Sequence, residues 1–212
     1  LEYDNFVWHQ QRSKATEPTD KQTNYEHPND EGWGRLNRPV INISWHEAQA
    51  YSAWLGKQLG KVCRLPTEIE WEYAARAGTQ KRYGIPAPHG SDQITQVGLA
   101  NCRDCNKSEN DKPRTTPVGQ FPANAFGLHD MHGNVWEWVE DHYRKYANTP
   151  LLQSKLAKQT AGDEGTDTQY RVLRGGSWNY SASSTRSAAG YSLHPVDRYG
   201  FIGFRVVCVS SI

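Results

Sequence analysis

The sequence predicts an α+β fold in which two helices and a few short strands are joined by long irregular segments. Two helix-start signals, several short apolar runs and one long stretch rich in Pro, Gly, Asn and Asp support this prediction. The chain has 212 residues, which suits one large domain or two small ones. Only 36% of the residues are hydrophobic, but they include 8 Trp and 11 Tyr. A few bulky aromatic side chains must therefore supply much of the buried surface.

The first helix is predicted to begin directly after Ser44. Ser44 and Glu47 form a capping box, in which each side chain accepts a hydrogen bond from the backbone amide of the other residue. Apolar residues then recur at helical spacing as far as Leu59, and Gly60 stands where a helix-ending glycine is expected. Immediately before this helix, residues 40–43, three of which are β-branched and apolar, predict a short strand.

A second helix is predicted from a second capping box, which Thr67 and Glu70 form. Trp71 and the alanines that follow it make an inward-facing stripe at helical spacing, and Gly78 is predicted to end the helix. Residues 79–125 then predict a long loop, because turn-forming residues recur throughout. A loop of this length needs a source of order, and metal ligation is one such source.

Three more strands are predicted from short apolar runs, at residues 135–139, 172–174 and 204–209. Residues 141–169 are polar, so we expect an exposed loop or a short helical piece there. The predicted helices therefore lie in the first half of the chain, and most of the predicted strands lie in the second half.

Charge and hydropathy argue against two classes of partner. The formal net charge is +1 at pH 7, which gives no electrostatic reason to expect nucleic acid, and no apolar run is long enough for membrane insertion. The chain begins at Leu1 without an initiator methionine or a visible signal peptide. A leader outside this sequence could still direct the protein to the cell surface or out of the cell, so the compartment stays open.

Cysteine usage is sparse, because 4 cysteines in 212 residues are too few for a disulfide framework. The spacing of Cys102 and Cys105 is typical of a redox pair or of half a zinc site. No second cysteine pair accompanies it and no histidine lies near it in sequence, so a structural role is favoured. Whether Cys63 pairs with Cys208 is left open, although both lie at predicted strand positions and we expect both to be buried.

Five motifs occur in one order along the chain. They are RPVINISW at residues 38–45, RLPTEIEWEYA at 64–74, NAFGLHDMHGNVWEW at 124–138, RGGSW at 174–178 and GFR at 203–205. Together they resemble the formylglycine-generating enzyme (sulfatase-modifying factor) family, over roughly residues 37–209. The resemblance implies a C-type-lectin-like fold with two helices, small antiparallel sheets and much irregular loop, in a single domain spanning residues 1–212.

The resemblance also bears on enzyme activity. The family's oxidases use two cysteines just after the Gly-Gly-Ser motif, together with a copper ion. These positions hold Tyr180 and Thr185, which cannot supply the thiolates that Cu(I) prefers. We therefore expect no copper and no enzyme activity. Formylglycine generation and sulfoxide synthesis of the ergothioneine-pathway type stay as alternatives. The iron histidines of the sulfoxide synthases come largely from a separate helical domain, and we interpret His46, His129 and His132 as structural or surface residues.

The segment between RGGSW and GFR has a restricted composition. Residues 179–201 contain no Lys, Glu, Gln, Met or Trp, and the residues present are those that arise when the adenines of AAC codons are replaced. This pattern resembles the variable proteins of diversity-generating retroelements, which rewrite one segment of a lectin-fold ligand binder. We interpret residues 179–202 as a hypervariable ligand-binding segment for a protein or cell-surface ligand. The alternative is a plain loop in an inactive relative with a fixed ligand.

Within this segment, Arg186, Ser187 and Arg198 are interpreted as fixed spacers. Aromatic residues are expected to act as anchors, and Ser and Gly as adaptable polar contacts, as they do in antibody combining sites. The candidate ligand-binding positions are Tyr180, Ser181, Ser183, Ser184, Ala189, Gly190, Tyr191, Ser192, Leu193, His194, Asp197, Tyr199, Gly200 and Phe201.

The family resemblance further implies structural calcium, a hard cation that prefers oxygen ligands. The first implied site comprises Asp130, the carbonyls of Gly133 and Val135, and Glu137. The second, weaker site comprises Asn101, the carbonyl of Cys102, and Asp111. The alternative for the first site is that Asp130 and Asn134 form turns while Glu137 pairs with an arginine such as Arg205.

Overall fold

The computed structural model describes residues 27–86, 94–95, 98–105, 113–144 and 166–210. Within these ranges the elements follow one another in an α+β order. They are α1 (Trp45–Leu59), β1 (Lys61–Arg64), α2 (Glu68–Arg76), β2 (Trp136–Arg144), β3 (Thr166–Arg174), a 3₁₀ helix (Ala182–Thr185), β4 (Gly190–Leu193), β5 (Ile202–Phe204) and β6 (Val207–Ser210). None of the described helices is both long and apolar enough to cross a membrane.

The strands form two small sheets. β1 pairs with β6 in an antiparallel ribbon, and the larger sheet has the order β4-β3-β2-β5. Its β2–β3 and β3–β4 pairs are antiparallel, whereas β2 and β5 run parallel. The predicted fold class is therefore confirmed, although one pair departs from the antiparallel pattern. The strand predicted at residues 204–209 is divided, because Arg205 and Val206 connect β5 to β6 across the two sheets.

Both predicted helices are present and begin as predicted. The side chain of Ser44 accepts from the Glu47 amide and the side chain of Glu47 accepts from the Ser44 amide, and α2 begins with the equivalent pair. α1 ends at Gly60, which has a φ of 62°. α2 ends one residue earlier than predicted, because Ala77 takes the left-handed conformation, with a φ of 45°, and its amide donates to the Tyr73 carbonyl.

The prediction of a strand at residues 40–43 is wrong. Asn42 has a φ of 57°, which interrupts an extended run, and its side-chain amide donates to the Asn29 carbonyl and to Glu31. Its backbone amide donates to the Tyr199 carbonyl at 3.1 Å. Ile41 and Ile43 are still buried, at 4% and 0% exposure. Their apolar character therefore reflects packing in the core and not sheet pairing.

Tryptophans link the helices to the larger sheet, as the aromatic-rich composition predicts. The Trp45 indole on α1 donates to the Val139 carbonyl on β2 at 2.8 Å, and the Trp138 indole on β2 donates to the Ile43 carbonyl at 2.9 Å. Trp138 has no exposed surface. Buried indoles normally need a partner for the N–H group, and these partners fix the position of α1 against the sheet.

A disulfide joins the two strands of the small sheet. Cys63 on β1 and Cys208 on β6 lie opposite each other in the register and are bonded. The pairing that the sequence left open is thus settled, but only Cys63 is buried, whereas Cys208 is exposed, like its neighbours Val209 and Ser210 on β6. The sequence placed Cys63 at a strand position but gave no bounds for β1, because its four residues carry little pattern without their partner strand.

Candidate ligand-binding face

A glycine turn brings the predicted ligand-binding segment close to the sheet. Gly175 and Gly176 follow β3 with φ values of 98° and 73°, which favour glycine. A Cβ atom on Gly176 would lie 2.5 Å from the Thr185 Cγ2 atom and 2.9 Å from the Ser184 carbonyl. The turn therefore requires glycine both for its backbone conformation and for the close approach of the 3₁₀ helix.

Buried residues attach the segment to the rest of the domain. Thr185 and Ser187 are fully buried, and Ala182 is nearly so. The Thr185 hydroxyl donates to the Ala182 carbonyl at 2.9 Å, and the Ser187 amide donates to the Arg82 carbonyl at 2.8 Å. None of these three residues is among the candidate ligand-binding positions, and Ser187 was interpreted as a fixed spacer.

Arg174, at the end of β3, ties the segment to α2. Its side chain is only 1% exposed, and it forms an ion pair with Glu72 at 2.6 Å. The same guanidinium donates to the Ser187 carbonyl at 2.8 Å and to the Ala189 carbonyl at 2.7 Å. An unpaired guanidinium buried here would be costly, so these contacts favour one position of the segment relative to α2.

His132 is a second buried polar anchor. Its Nε2 atom accepts from the Gly84 amide at 2.8 Å, so Nδ1 carries the proton and donates to the Thr185 carbonyl at 2.8 Å. Burial lowers the pKa of His132 from 6.5 to about 4, while the Thr185 hydrogen bond opposes this shift. The imidazole is therefore neutral at physiological pH. This bears out its interpretation as a structural residue, whereas His46 and His129 are exposed.

Every candidate ligand-binding position has exposed surface. None falls in the buried class, and Tyr191 and Tyr199 are 37% and 43% exposed. The Gly190–Leu193 part of the segment is β4, which pairs with β3 and presents its side chains at the edge of the larger sheet. The sequence missed this strand, and the only signal for it was the alternation of large and small residues from Gly190 to Leu193.

Four aromatic residues of the segment form one contiguous cluster, which we name the aromatic face: Tyr180, Tyr191, Tyr199 and Phe201. The centroid of the Tyr180 ring lies 5.9 Å from that of Tyr191 and 5.7 Å from that of Phe201. The Phe201 ring stacks on the Tyr199 ring with a centroid distance of 5.1 Å. Burial, followed by the contact with Tyr191, raises the pKa of the Tyr180 phenol.

Trp136 lies under the aromatic face. Its ring is 5.6 Å from Tyr180 and 5.6 Å from Tyr191, and only 2% of the residue is exposed. Trp136 is the first residue of β2 and belongs to the main core cluster. The aromatic face is therefore a surface continuation of the core, in which edge-to-face and offset contacts limit side-chain movement.

The first implied calcium site has a different use in the structure. Glu137 is buried and receives two hydrogen bonds from Arg205, at 2.5 and 2.6 Å, and one from the Trp71 indole at 2.6 Å. This is the ion pair that the sequence offered as the alternative. Of the two carboxylates in the implied site, Asp130 alone keeps an oxygen without a hydrogen-bond partner within the described residues. Its other oxygen accepts from the Gly119 amide at 2.7 Å.

As folded, these residues fit calcium poorly, because Arg205 already supplies the positive charge beside Glu137. Burial raises the pKa of Asp130, and the nearby Glu137 adds to this shift, while the Gly119 hydrogen bond opposes it. Gly133 and Val135 are also buried. Calcium here stays a prediction, and binding would require Glu137 to exchange Arg205 for the ion.

The second implied calcium site is only partly described. Asn101 uses its carbonyl to accept from the Asn134 amide at 2.8 Å, and its side-chain amide donates to the Arg114 carbonyl at 3.0 Å. Cys102 is bonded to Cys105 in a disulfide. Asp111 lies outside the described residues. Asn101 thus has a structural role in which it holds the loop before β2.

With this geometry in place, comparison with known proteins defines the class. The chain belongs to the family described as Sulfatase-modifying factor enzyme 1-like domain, which matches residues 1–209. The formylglycine-generating enzyme of Streptomyces coelicolor is 37% identical over 185 residues, which cover 81% of this chain and 53% of that protein. The hercynine oxygenase of Mycolicibacterium smegmatis is 38% identical over 178 residues, which cover 80% of this chain and 37% of that protein.

Solved structures support the fold. PvdO from Pseudomonas aeruginosa has a TM-score of 0.68 at 30% identity, covering 95% of this chain and 76% of that one. Treponema denticola variable protein 1 has a TM-score of 0.62 at 24% identity, covering 85% of this chain and 74% of that one. The latter identity supports a shared fold alone. The chain spans between roughly a third and a half of the curated relatives that it matches first.

The comparisons contradict the prediction that this chain is not an enzyme, because the relatives that match four fifths of it are named as enzymes. The prediction gave decisive weight to Tyr180 and Thr185, whereas the similarity to the family extends over residues 1–209. In the structure Thr185 is fully buried and Tyr180 is half-buried in the aromatic face. The expectation of no copper at these two positions stays a prediction.

Proposed function

We propose that this domain binds a protein or cell-surface ligand through residues 179–201, with the aromatic face as the anchor. The observation that carries the proposal is the division within this segment. Candidate ligand-binding positions keep exposed surface, whereas Ala182, Thr185 and Ser187 are buried and hydrogen-bonded to the domain. Side chains at the exposed positions can therefore differ without loss of the contacts that hold the segment in place.

The chemistry of the aromatic face suits recognition of another macromolecule. Tyr offers a large contact area with few rotatable bonds, and aromatic side chains are common among the residues that dominate binding energy. Ring contacts with Trp136 hold Tyr180 and Tyr191 in place before binding. A surface that is ordered in advance loses less entropy on binding, which increases affinity.

Substitutions in the aromatic face test the proposal. Fluorescently labelled wild-type protein is titrated onto a panel of intact cells, and the cell type that it binds saturably is used for all comparisons. We expect the double variant Tyr191→Ala with Phe201→Ala to lose at least about thirtyfold in affinity, since even one aromatic anchor contributes about 2 kcal/mol or more.

Tyr73→Ala provides the matched control. Tyr73 is 67% exposed on α2 and contacts Phe126, so its removal deletes an exposed tyrosine outside the segment. We expect this control to bind like the wild type. Equal affinities for the double variant and the wild type, or no saturable binding to any cell in the panel, would contradict the proposed function.

A second candidate function is catalysis of the kind for which the relatives are named, either formylglycine generation or oxygenation of hercynine. The sequence identity with these relatives over about four fifths of the chain favours this function. In this chain the loop from Cys102 to Cys105 contacts Tyr180, because the Arg103 amide donates to the Tyr180 carbonyl at 2.9 Å. Oxygen-dependent turnover of a cysteine-containing peptide that Cys105→Ser abolishes would favour this function.

A further inference from the structure

The loop from Cys102 to Cys105 brings three potential metal ligands together. The two sulfur atoms and one oxygen of Asp104 all lie within 4.8 Å of one another. Cys102 and Cys105 are 3% and 1% exposed and form a disulfide in the structure. No other part of the described chain groups three cysteine, histidine or acidic side chains in this way.

Apolar side chains surround the two sulfurs. Both cysteines pack in one core cluster with Tyr83, Ile94 and Leu99. The same cluster contains Ala182 of the 3₁₀ helix, whose carbonyl accepts from the Tyr83 hydroxyl at 2.9 Å. Such a shell keeps water away and strengthens the interaction of thiolates with a cation.

We propose that the cluster of Cys102, Asp104 and Cys105, once its disulfide is reduced, binds a thiophilic divalent cation of the zinc class. Two thiolates and one carboxylate form a donor set that suits zinc or cadmium, and two sulfurs disfavour calcium and magnesium. Three protein ligands leave one position of a tetrahedral zinc site for water or another ligand. The proposal does not depend on the proposed function.

Reduction has to precede metal binding. A dithiol reductant supplies two electrons and two protons, so that the sulfur–sulfur bond breaks, two thiols form, and the reductant becomes a disulfide. The cation then replaces the two thiol protons, which are released to solvent. The disulfide and the metal site are therefore alternative states of Cys102 and Cys105.

The cluster also contacts the ligand-binding segment. Asp104 Oδ1 accepts from the Ala182 amide at 2.6 Å, and the Arg103 amide donates to the Tyr180 carbonyl at 2.9 Å. These bonds fix the loop beneath the first residues of the segment. A cation held by Asp104 would thus lie next to the aromatic face without being part of it.

Cadmium titration tests the proposal. The experiment uses a Cys63→Ser, Cys208→Ser background, so that reduction exposes thiols only at Cys102 and Cys105. The reduced protein, freed of reductant, is titrated with Cd²⁺ alone, and the ultraviolet sulfur-to-cadmium charge-transfer band is recorded. We expect one Cd²⁺ per chain.

The same chain in its oxidised form is the first control, and we expect no charge-transfer band from it. Asp104→Asn should weaken Cd²⁺ binding at least about tenfold, as the loss of a coordinating or supporting carboxylate does. Asp30→Asn, which removes a carboxylate paired with Arg35 elsewhere, should leave it unchanged.

Near-ultraviolet circular dichroism checks that each variant and each redox state is folded. Absence of a charge-transfer band from the folded, reduced protein would overturn the proposal. Equal Cd²⁺ affinity in the Asp104→Asn and Asp30→Asn variants would overturn the assignment of Asp104 as a ligand.

Discussion

The frame and the ligand-binding segment use their polar side chains in opposite ways. In the frame, which comprises α1, α2, β2 and β3 with the RGGSW turn, buried groups such as Arg174 and Glu137 bind other parts of the chain. In residues 179–201, the candidate positions face outward and only a few buried residues attach the segment. Stability and recognition are thus assigned to different residues, which allows one set to change without the other.

Replacement of Arg174, a buried residue of the frame, should have the largest effect on the stability of the fold. Arg174→Met leaves Glu72 and the Ser187 and Ala189 carbonyls without their buried partner. We expect unfolding free energy to fall by about 3 kcal/mol or more, as for other broken buried pairs. Chemical denaturation measures it. Arg186→Met, at an exposed arginine of the segment, is the control and should cost less than about 0.5 kcal/mol.

The pH dependence of stability should reveal the second anchor. The pKa of His132 is about 4 in the folded protein and 6.5 in the unfolded reference, so below pH 6.5 the unfolded chain binds a proton that the folded chain does not. Stability from this group is complete above pH 6.5 and is lost as the pH falls to about 4. The loss is up to roughly 3 kcal/mol.

Substitution isolates the contribution of His132 from that of the carboxylates. His132→Gln should flatten the pH dependence of the unfolding free energy between pH 6.5 and 4 relative to the wild type. Denaturation curves across this interval provide the measurement. Parallel pH profiles for this variant and the wild type would show that His132 is not held neutral by the fold.

The glycine turn permits a sharper comparison, because two glycines share a backbone conformation but differ in surroundings. Gly176 and Gly119 have φ values of 73° and 75°, but a Cβ atom meets Thr185 only at Gly176 and nothing within 4 Å at Gly119. We expect Gly176→Ala to cost about 1–3 kcal/mol more than Gly119→Ala, the usual range for overpacking. Equal unfolding free energies would indicate that the close approach has no energetic role.

Addition of calcium should have the smallest effect on stability. The Arg205 guanidinium already neutralises Glu137, so binding would have to break that ion pair. We expect saturating calcium to raise the melting temperature by less than about 2 °C relative to chelator, which corresponds to less than about 1 kcal/mol. A larger rise that Asp130→Asn abolishes would restore the calcium site that the family resemblance implies.

Local signals in the sequence predicted the helices well. A capping box requires only residues three apart, and so Ser44 with Glu47 identified the start of α1 without knowledge of the fold. β1 and β4 could not be identified in this way, because each has only four residues and depends on pairing with another strand, β6 for β1 and β3 for β4. The prediction of a strand at residues 40–43 failed because Asn42 takes the left-handed conformation, and its hydrogen-bond partners lie 11 residues or more away in the sequence.

The site was predictable to a different extent. Restricted composition selected positions that keep exposed surface, including all of the aromatic face. Composition could not reveal the anchors Arg174 and His132, because each acts through backbone carbonyls that the fold alone brings near. The exclusion of enzyme activity gave too much weight to Tyr180 and Thr185, since the relatives named as enzymes match about four fifths of the chain.

The coding sequence of residues 179–207 in many individuals of the source population tests the central claim most directly. If the segment is an interchangeable recognition surface on a fixed frame, amino-acid differences should fall at the candidate positions, such as Tyr180, Tyr191 and Phe201. They should be absent at the buried Thr185 and Ser187, and a nearby adenine-rich copy of the segment should accompany a reverse transcriptase gene. An invariant segment without such a copy would contradict the claim.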